Sequence, residues 1–217
     1  MLIGGFANQI ENSLPEDDHN IQKLRIIRDE TRRLELLLTD VRDFTRPSLP
    51  QKELRDIRLS IEETLALVKN ELEEKGIGCD KVLDDELPRV WFDPEQIKQV
   101  LINLIKNAAE ATSEGVITIV TEQNDDCIKV SIIDTGKGMS AETVENIFNP
   151  FFTTKKKGTG LGLAVCRKII EDHVGKISVK SREGKGTCIT FTLPVNSPLQ
   201  KGEKDLVELR GIEPLTS

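Results

Sequence analysis

DTGKGMSAETVENIFNPFFTTKKKGTGLGLAVC, residues 134–166, sets five glycines and a run of three lysines behind one aspartate. The preceding run, Ile128 to Ile133, is rich in β-branched residues and reads as a strand, so Asp134 ends a strand and D-x-G-x-G turns out of it. Such a carboxylate can accept a hydrogen bond from an exocyclic amine like that of adenine, and Gly136 and Gly138 let backbone lie close to a flat base. Further on, GTGLGLAV opens a helix, with Gly158, Gly160 and Gly162 offering backbone N–H groups at the positive end of its dipole, where a phosphate fits. Between the boxes, NPFFTTKKK has the character of a mobile segment: Lys155 to Lys157 can reach phosphates, and Phe148, Phe151 and Phe152 can pin the segment to the body.

Upstream, WFDPEQIKQVLINLIKNAAEATSEG from Trp91 reads as a strong helix over 94–113, with Asp93 as N-cap and Pro94 at its first position. Asn103 and Asn107 stand one turn apart on one face, while Val100, Leu101, Leu104 and Ile105 supply the buried side. An amide oxygen suits Mg²⁺, which takes the rest of its shell from water and substrate phosphates. Two surface asparagines would look the same, so the pair gains weight only beside the glycine boxes.

Around these lie further elements. Ser60 to Lys75 reads as helix and Ile77 to Leu83 as strand. Val116 to Thr121 and Ile128 to Ile133 form a hairpin, and a helix over Gly160 to Asp172 precedes strands at Lys176 to Ser181 and Thr187 to Leu193. Strands interleaved with helices through short connections predict an α+β fold, one mixed sheet with helices on one face. From Asn20 to Phe44, Ile21, Leu24, Ile27, Leu34, Leu37, Leu38 and Val41 fall at near-heptad spacing, which favours a bundle seam broken at Arg46, Pro47 and Pro50. The tail from Asn196 shows no periodicity and reads as flexible or foreign to the domain.

The net charge of −7 sets most of the surface against nucleic-acid phosphates, so any bound anion must be held locally. Cys79, Cys127, Cys166 and Cys188 form no C-x-x-C pair and read as reduced residues of a cytoplasmic protein. No apolar run has the ~20 residues that a membrane span requires.

The succession QVLINLIKNAAEAT, DTGKGM, IFNPFFTTK, GTGLGLAVCRKIIEDHVGKI and GKGTCITFTLP closely resembles the catalytic ATP-binding domain of sensor histidine kinases, within the wider group that includes gyrase, Hsp90 and MutL. The resemblance covers roughly residues 20–195 and implies a Bergerat-type α/β sandwich preceded by a helical hairpin segment. It divides the chain into a truncated dimerisation hairpin over 1–47, a catalytic domain over 48–195 and the tail over 196–217. It also implies Asn107 as the Mg²⁺ ligand, Asp134 on adenine, Gly136 and Gly138 beside the base, and Thr187 near the adenine end. Residues 148–162 would be the ATP lid, with Phe148, Lys155, Gly158, Thr159, Gly160, Leu161 and Gly162 contributing.

Hydrolysing members of the group carry a glutamate one turn before the magnesium asparagine. Here that place is Asn103, which cannot deprotonate water, so a clamp-type ATPase is disfavoured. Kinases of this kind pass the γ-phosphoryl to an imidazole, a neutral nucleophile that needs positioning. The resemblance further implies a homodimer through the hairpin and a response-regulator receiver domain as partner. The acceptor motif H-E-x-x-N-P is missing, and MLIGGFANQI resembles the stretch directly after that motif, so the chain is expected to begin just past the acceptor histidine and to act in trans. His19 reads as a solvated turn residue and His173 as a helix C-terminal residue. Val174 and Gly175 replace the family's paired glycines, a departure expected to affect the turn. The alternative is a non-catalytic nucleotide-binding module that docks a partner through helix 20–44.

Overall fold

The computed structural model describes residues 2–15, 18–45, 49–124, 126–155 and 158–195. The break at Arg46 and Pro47, Lys156 and Lys157, and the tail from Asn196 lie outside the described residues. Contacts divide the chain into two units: residues 1–47 with 148–165, and residues 48–147 with 166–217.

In the first unit, the heptad-like stripe becomes α2 (Ile21–Thr45), preceded by α1 (Leu2–Ser13). Glu11 accepts from Arg25 Nε (2.9 Å) and from Arg28 (2.7 Å), and Gly4 lies against Thr31. Partners run down one helix as they run up the other, which makes an antiparallel hairpin. Its turn carries His19, exposed and 3.7 Å from Asp18. Leu2, Ile3, Phe6 and Ile10 of α1 and Ile27, Leu34 and Leu38 of α2 remain exposed, more apolar surface than the hairpin covers by itself.

The second unit is built on a mixed five-stranded sheet. It comprises β1 (Glu53–Arg55), α3 (Ile57–Glu74), β2 (Ile77–Val82), β3 (Val90–Phe92), α4 (Pro94–Ala111), β4 (Gly115–Asn124), β5 (Cys127–Asp134), α5 (Ala141–Asn146), the body of α6 (Gly162–Asp172), β6 (Ile177–Ser181) and β7 (Thr187–Pro194). The sheet order is β2-β4-β5-β7-β6, with β2 parallel to β4 and every other pair antiparallel. Strict alternation in β7 turns Ile189, Phe191 and Leu193 to the core. α4 meets β4 and β5 with Ile97, Val100, Leu101, Leu104 and Ile105, and α3 packs on α4 and β2 with Ile57, Ile61, Val68 and Leu72. Each such side chain contributes about 1.5–3 kcal/mol when fully buried.

Capping fixes where α4 starts. Asp93 Oδ1 accepts from the N–H groups of Glu95 and Gln96 (3.1 and 3.2 Å), as its sequence position predicts, a cap worth about 1 kcal/mol. α3 begins earlier than expected, because Asp56 caps it through Arg58 N–H. α6 begins at Gly162 rather than Gly160, whose φ of +72° lies outside the helix. Two elements went unforeseen: the β1–β3 ribbon and α5. Strands of three residues are too short to show alternation.

At the far end of α6, Val174 N–H bonds Glu171 O and Gly175 N–H bonds Ile170 O, a Schellman ending. The left-handed position is Val174, at φ +61°. The departure from paired glycines therefore falls where a glycine would be unstrained. Gly175 is needed for space, since a methyl there would stand 2.0 Å from Thr192 O.

Candidate functional site

Asp134 ends β5 with only 6% of its surface exposed. Its Oδ1 accepts from Gly136 N–H (2.9 Å) and Thr187 N–H (3.2 Å), while its other oxygen takes no hydrogen bond from the described residues. Burial pushes the carboxyl up from its ordinary value, and the two N–H donors oppose that shift. The result is a carboxylate held rigidly at one oxygen and available at the other.

The glycines around it answer to the chain's own backbone. A methyl at Gly136 would stand 2.4 Å from Ala111 O, at the end of α4, and Lys137 N–H donates to that same carbonyl at 3.1 Å. Gly138, at φ +65°, faces Arg182 O at 2.0 Å on the same measure, and Gly186, at φ +80°, faces Asp134 O at 1.9 Å. The close approach visible at Gly136 and Gly138 is therefore to carbonyls. Gly186 and Ser181 were missed from sequence. Ser181 Oγ donates to Gly186 O (2.8 Å), accepts from Met139 N–H (3.0 Å) and meets Thr187 Oγ1 at 2.9 Å. Asp134, Gly136, Thr187 and, through Ala111, the end of α4 are thus one bonded cluster.

Asn103 and Asn107 are both half-buried, one turn apart on α4, beside the buried Leu101 and Leu104. Asn103 hydrogen-bonds the thiol of Cys166 on α6. That thiol is fully buried, is pushed up to about 12 by desolvation, and lies 4.0 Å from Val100 O. It is protonated and inert at neutral pH. Asn103 therefore joins two helices, a contact that helical spacing alone does not reveal.

The segment 148–165 belongs to the other unit and is described by itself. Phe151 N–H donates to Gly160 O at 3.0 Å, and a methyl at Gly160 would stand 2.5 Å from the Phe151 carbonyl carbon, so the segment closes on itself. Phe151 takes φ +67° and is 65% exposed; unlike half-buried Phe148 and Phe152, it pins nothing. Gly158 N–H bonds Lys155 O at 3.3 Å, so the expected row of open glycine amides is interrupted there. Thr159 Oγ1 accepts from Leu161 N–H at 3.4 Å, Leu161 is buried, and Lys155 is exposed.

Residues 92–197 match the family described as histidine kinase-, DNA gyrase B-, and HSP90-like ATPase. The chain is 39% identical over 204 residues to the sensor histidine kinase ZraS of Klebsiella oxytoca, covering 93% of this chain but 44% of that protein. Among solved structures, the nucleotide-free catalytic domain of histidine kinase ThkA matches at 41% identity with a TM-score of 0.62, over 67% of this chain and 96% of that domain. ThkA in complex with the response regulator TrrA matches at 34% identity and TM-score 0.72, over 90% of this chain and 57% of that one.

Proposed function

Because the chain belongs to the family of histidine kinase catalytic ATP-binding domains, we propose that it binds Mg-ATP and hands the γ-phosphoryl group to a histidine on a dimerisation helix, within two-component signalling. The observation that carries this reading is Asp134, one oxygen committed to two backbone donors and the other open to an exocyclic amine. In the reaction an imidazole nitrogen forms a bond to the γ-phosphorus as the bond to the bridging oxygen breaks, and ADP leaves with that electron pair.

Roles follow the positions. Asp134 and Thr187 hold the adenine end, with Gly136 and Gly138 forming the floor. Phe148, Lys155, Gly158, Thr159, Gly160, Leu161 and Gly162 serve the phosphates. Asn107 holds Mg²⁺ and Asn103 orients α4 beside it. No group of three histidine, cysteine or acidic side chains suited to a metal occurs among the described residues. An amide donor fits an ion that arrives with the phosphates, and that ion would neutralise their charge.

We assign residues 1–47 to a dimerisation hairpin, 48–195 to the catalytic domain and 196–217 to a tail outside it. The exposed leucines and isoleucines of α1 and α2 support a homodimer, and a response-regulator receiver domain is the expected partner. No described helix is long and apolar enough to cross a membrane; we place the chain in the cytoplasm, acting on an acceptor supplied in trans.

Asp134→Asn keeps the oxygen that serves Gly136 and Thr187 but removes the charge. ADP affinity should fall about 100-fold, the loss of a charge-assisted hydrogen bond, with little change in thermal midpoint. The carboxyl must be ionised to accept the amine, and its pKa is raised. Wild-type affinity should therefore drop as acid pH approaches that raised value, and Asp134→Asn should fall less steeply because that part of the dependence is gone. Labelled ATP with a separately supplied acceptor hairpin should give phosphohistidine, abolished by Asn107→Ala. Intact ADP binding without phosphohistidine would sink the kinase assignment.

A further inference from the structure

His173 follows the last residue of α6 and is fully buried. Its Nδ1 lies 2.7 Å from Ile169 O, which only accepts, so Nδ1 carries the hydrogen. Its Nε2 lies 2.9 Å from the amide nitrogen of Asp93, which only donates, so Nε2 is bare. Both partners select the same neutral tautomer. Asp93 is also the N-cap of α4, and its second carboxylate oxygen accepts from Gln51 N–H at 2.9 Å. Lys52 Nζ donates to Asp172 O at 3.1 Å and closes the same corner.

α6 and α4 meet a second time where Cys166 touches Val100 O and Asn103. From Cys166 to His173 along α6, and from Val100 back to Asp93 along α4, the two attachments are about 10 Å apart at the helical rise. Two attachments at that spacing fix how far one helix can slide along the other. α4 carries Asn103 and Asn107, and its last carbonyl, on Ala111, seats Gly136 and Lys137.

We propose that His173 is a positioning residue: its neutral ring latches the end of α6 to the first turn of α4, and protonation of Nε2 releases the latch and loosens the nucleotide site. The protonated ring would set N–H against N–H at Asp93. The charged groups facing the ring are Lys52, which opposes the cation, and Asp93 and Asp172, which favour it. Burial is the largest influence, and His173 lies below its ordinary value. Its stabilisation is therefore present above the unfolded pKa of about 6.5 and is lost as pH falls from there towards the depressed folded value.

The nucleotide consequence rests on the ATP-binding reading, so the test has a second readout. On the full chain, exchange of the Asp93 amide, the ¹⁵N shifts of the His173 ring and ADP affinity are followed from about pH 8 to about pH 5. The same is done for His173→Gln, which cannot titrate. In the wild type, Asp93 protection should fall as the ring protonates, and the ADP dissociation constant should rise about five-fold beyond the slope seen in His173→Gln. Titration of Asp134 contributes equally to both chains and cancels in that difference. Equal slopes in the two chains, or an Asp93 amide that stays protected after the ring is protonated, would overturn the latch. Should ADP fail to bind either chain, the nucleotide reading falls, and the amide readout still decides the latch. It also decides if His173→Gln does not fold, because it is made on the wild type.

Discussion

The loop that seats Asp134 and the segment 148–162 are both glycine-rich, yet they are built on different principles. In the first, Met139 bonds Ser181, Gly184 bonds Lys137 and Thr187 bonds Asp134, at 2.7–3.2 Å between residues 42–53 positions apart. In the second, Phe151, Phe152, Gly158 and Leu161 bond partners no more than nine positions away, at 3.0–3.4 Å. Opening the first loop means undoing the turn between β6 and β7; opening the second undoes bonds between residues close in sequence. A recognition surface gains from the first arrangement because it is preorganised, and a lid needs the second.

The sharpest way to break the contrast is Gly186→Ala. The added methyl meets Asp134 O at 1.9 Å and the φ is +80°, so destabilisation of about 3 kcal/mol or more is expected by chemical denaturation, with ADP binding lost. Gly184→Ala is the control two residues away. Its φ is +70°, but nothing lies within 4 Å, so only the left-handed penalty of about 1–2 kcal/mol applies. Equal effects would mean that the Asp134 carbonyl is not what demands glycine at 186.

Gly160→Ala tests the other side. The methyl would stand 2.5 Å from the Phe151 carbonyl carbon at φ +72°, so the turn must open. Because its bonds are local, the thermal midpoint should hardly move. If the segment holds the phosphates as proposed, ATP affinity should fall about ten-fold and adenosine affinity should stay unchanged. A large drop in midpoint would show that the segment is part of the cooperative fold.

Sequence disclosed what is local or periodic. Asp93–Pro94 announces the start of α4, the spacing of Asn103 and Asn107 places them on one face, and β-branched runs mark β4, β5 and β7. What it concealed is closure over distance: His173 on Asp93, 80 residues away; Gly186 on the Asp134 carbonyl; Asn103 on Cys166. No propensity encodes such contacts, because each depends on where the sheet carries the second partner. The glycines were visible, but the reason for each was not. At Gly136 and Gly138 the residues that demand glycine are Ala111 and Arg182, on other elements.

The smallest effect compares the two non-glycine residues at positive φ among the described residues, Phe151 at +67° and Val174 at +61°. Both are exposed, so neither gains much from burial. A β-branched residue in the left-handed region costs about 1–2 kcal/mol, and glycine gives back about 0.5–1 kcal/mol through the entropy of the unfolded chain. Val174→Gly should therefore stabilise the second unit by about 0.5–1 kcal/mol, raising its midpoint by about 2 °C. The same relief at Phe151 acts on a segment held by local bonds and should leave the midpoint where it is. If Phe151→Gly raised the midpoint as much as Val174→Gly does, the segment 148–162 would be as much a part of the cooperative fold as the turn after α6, and the contrast between the two glycine-rich regions would fail.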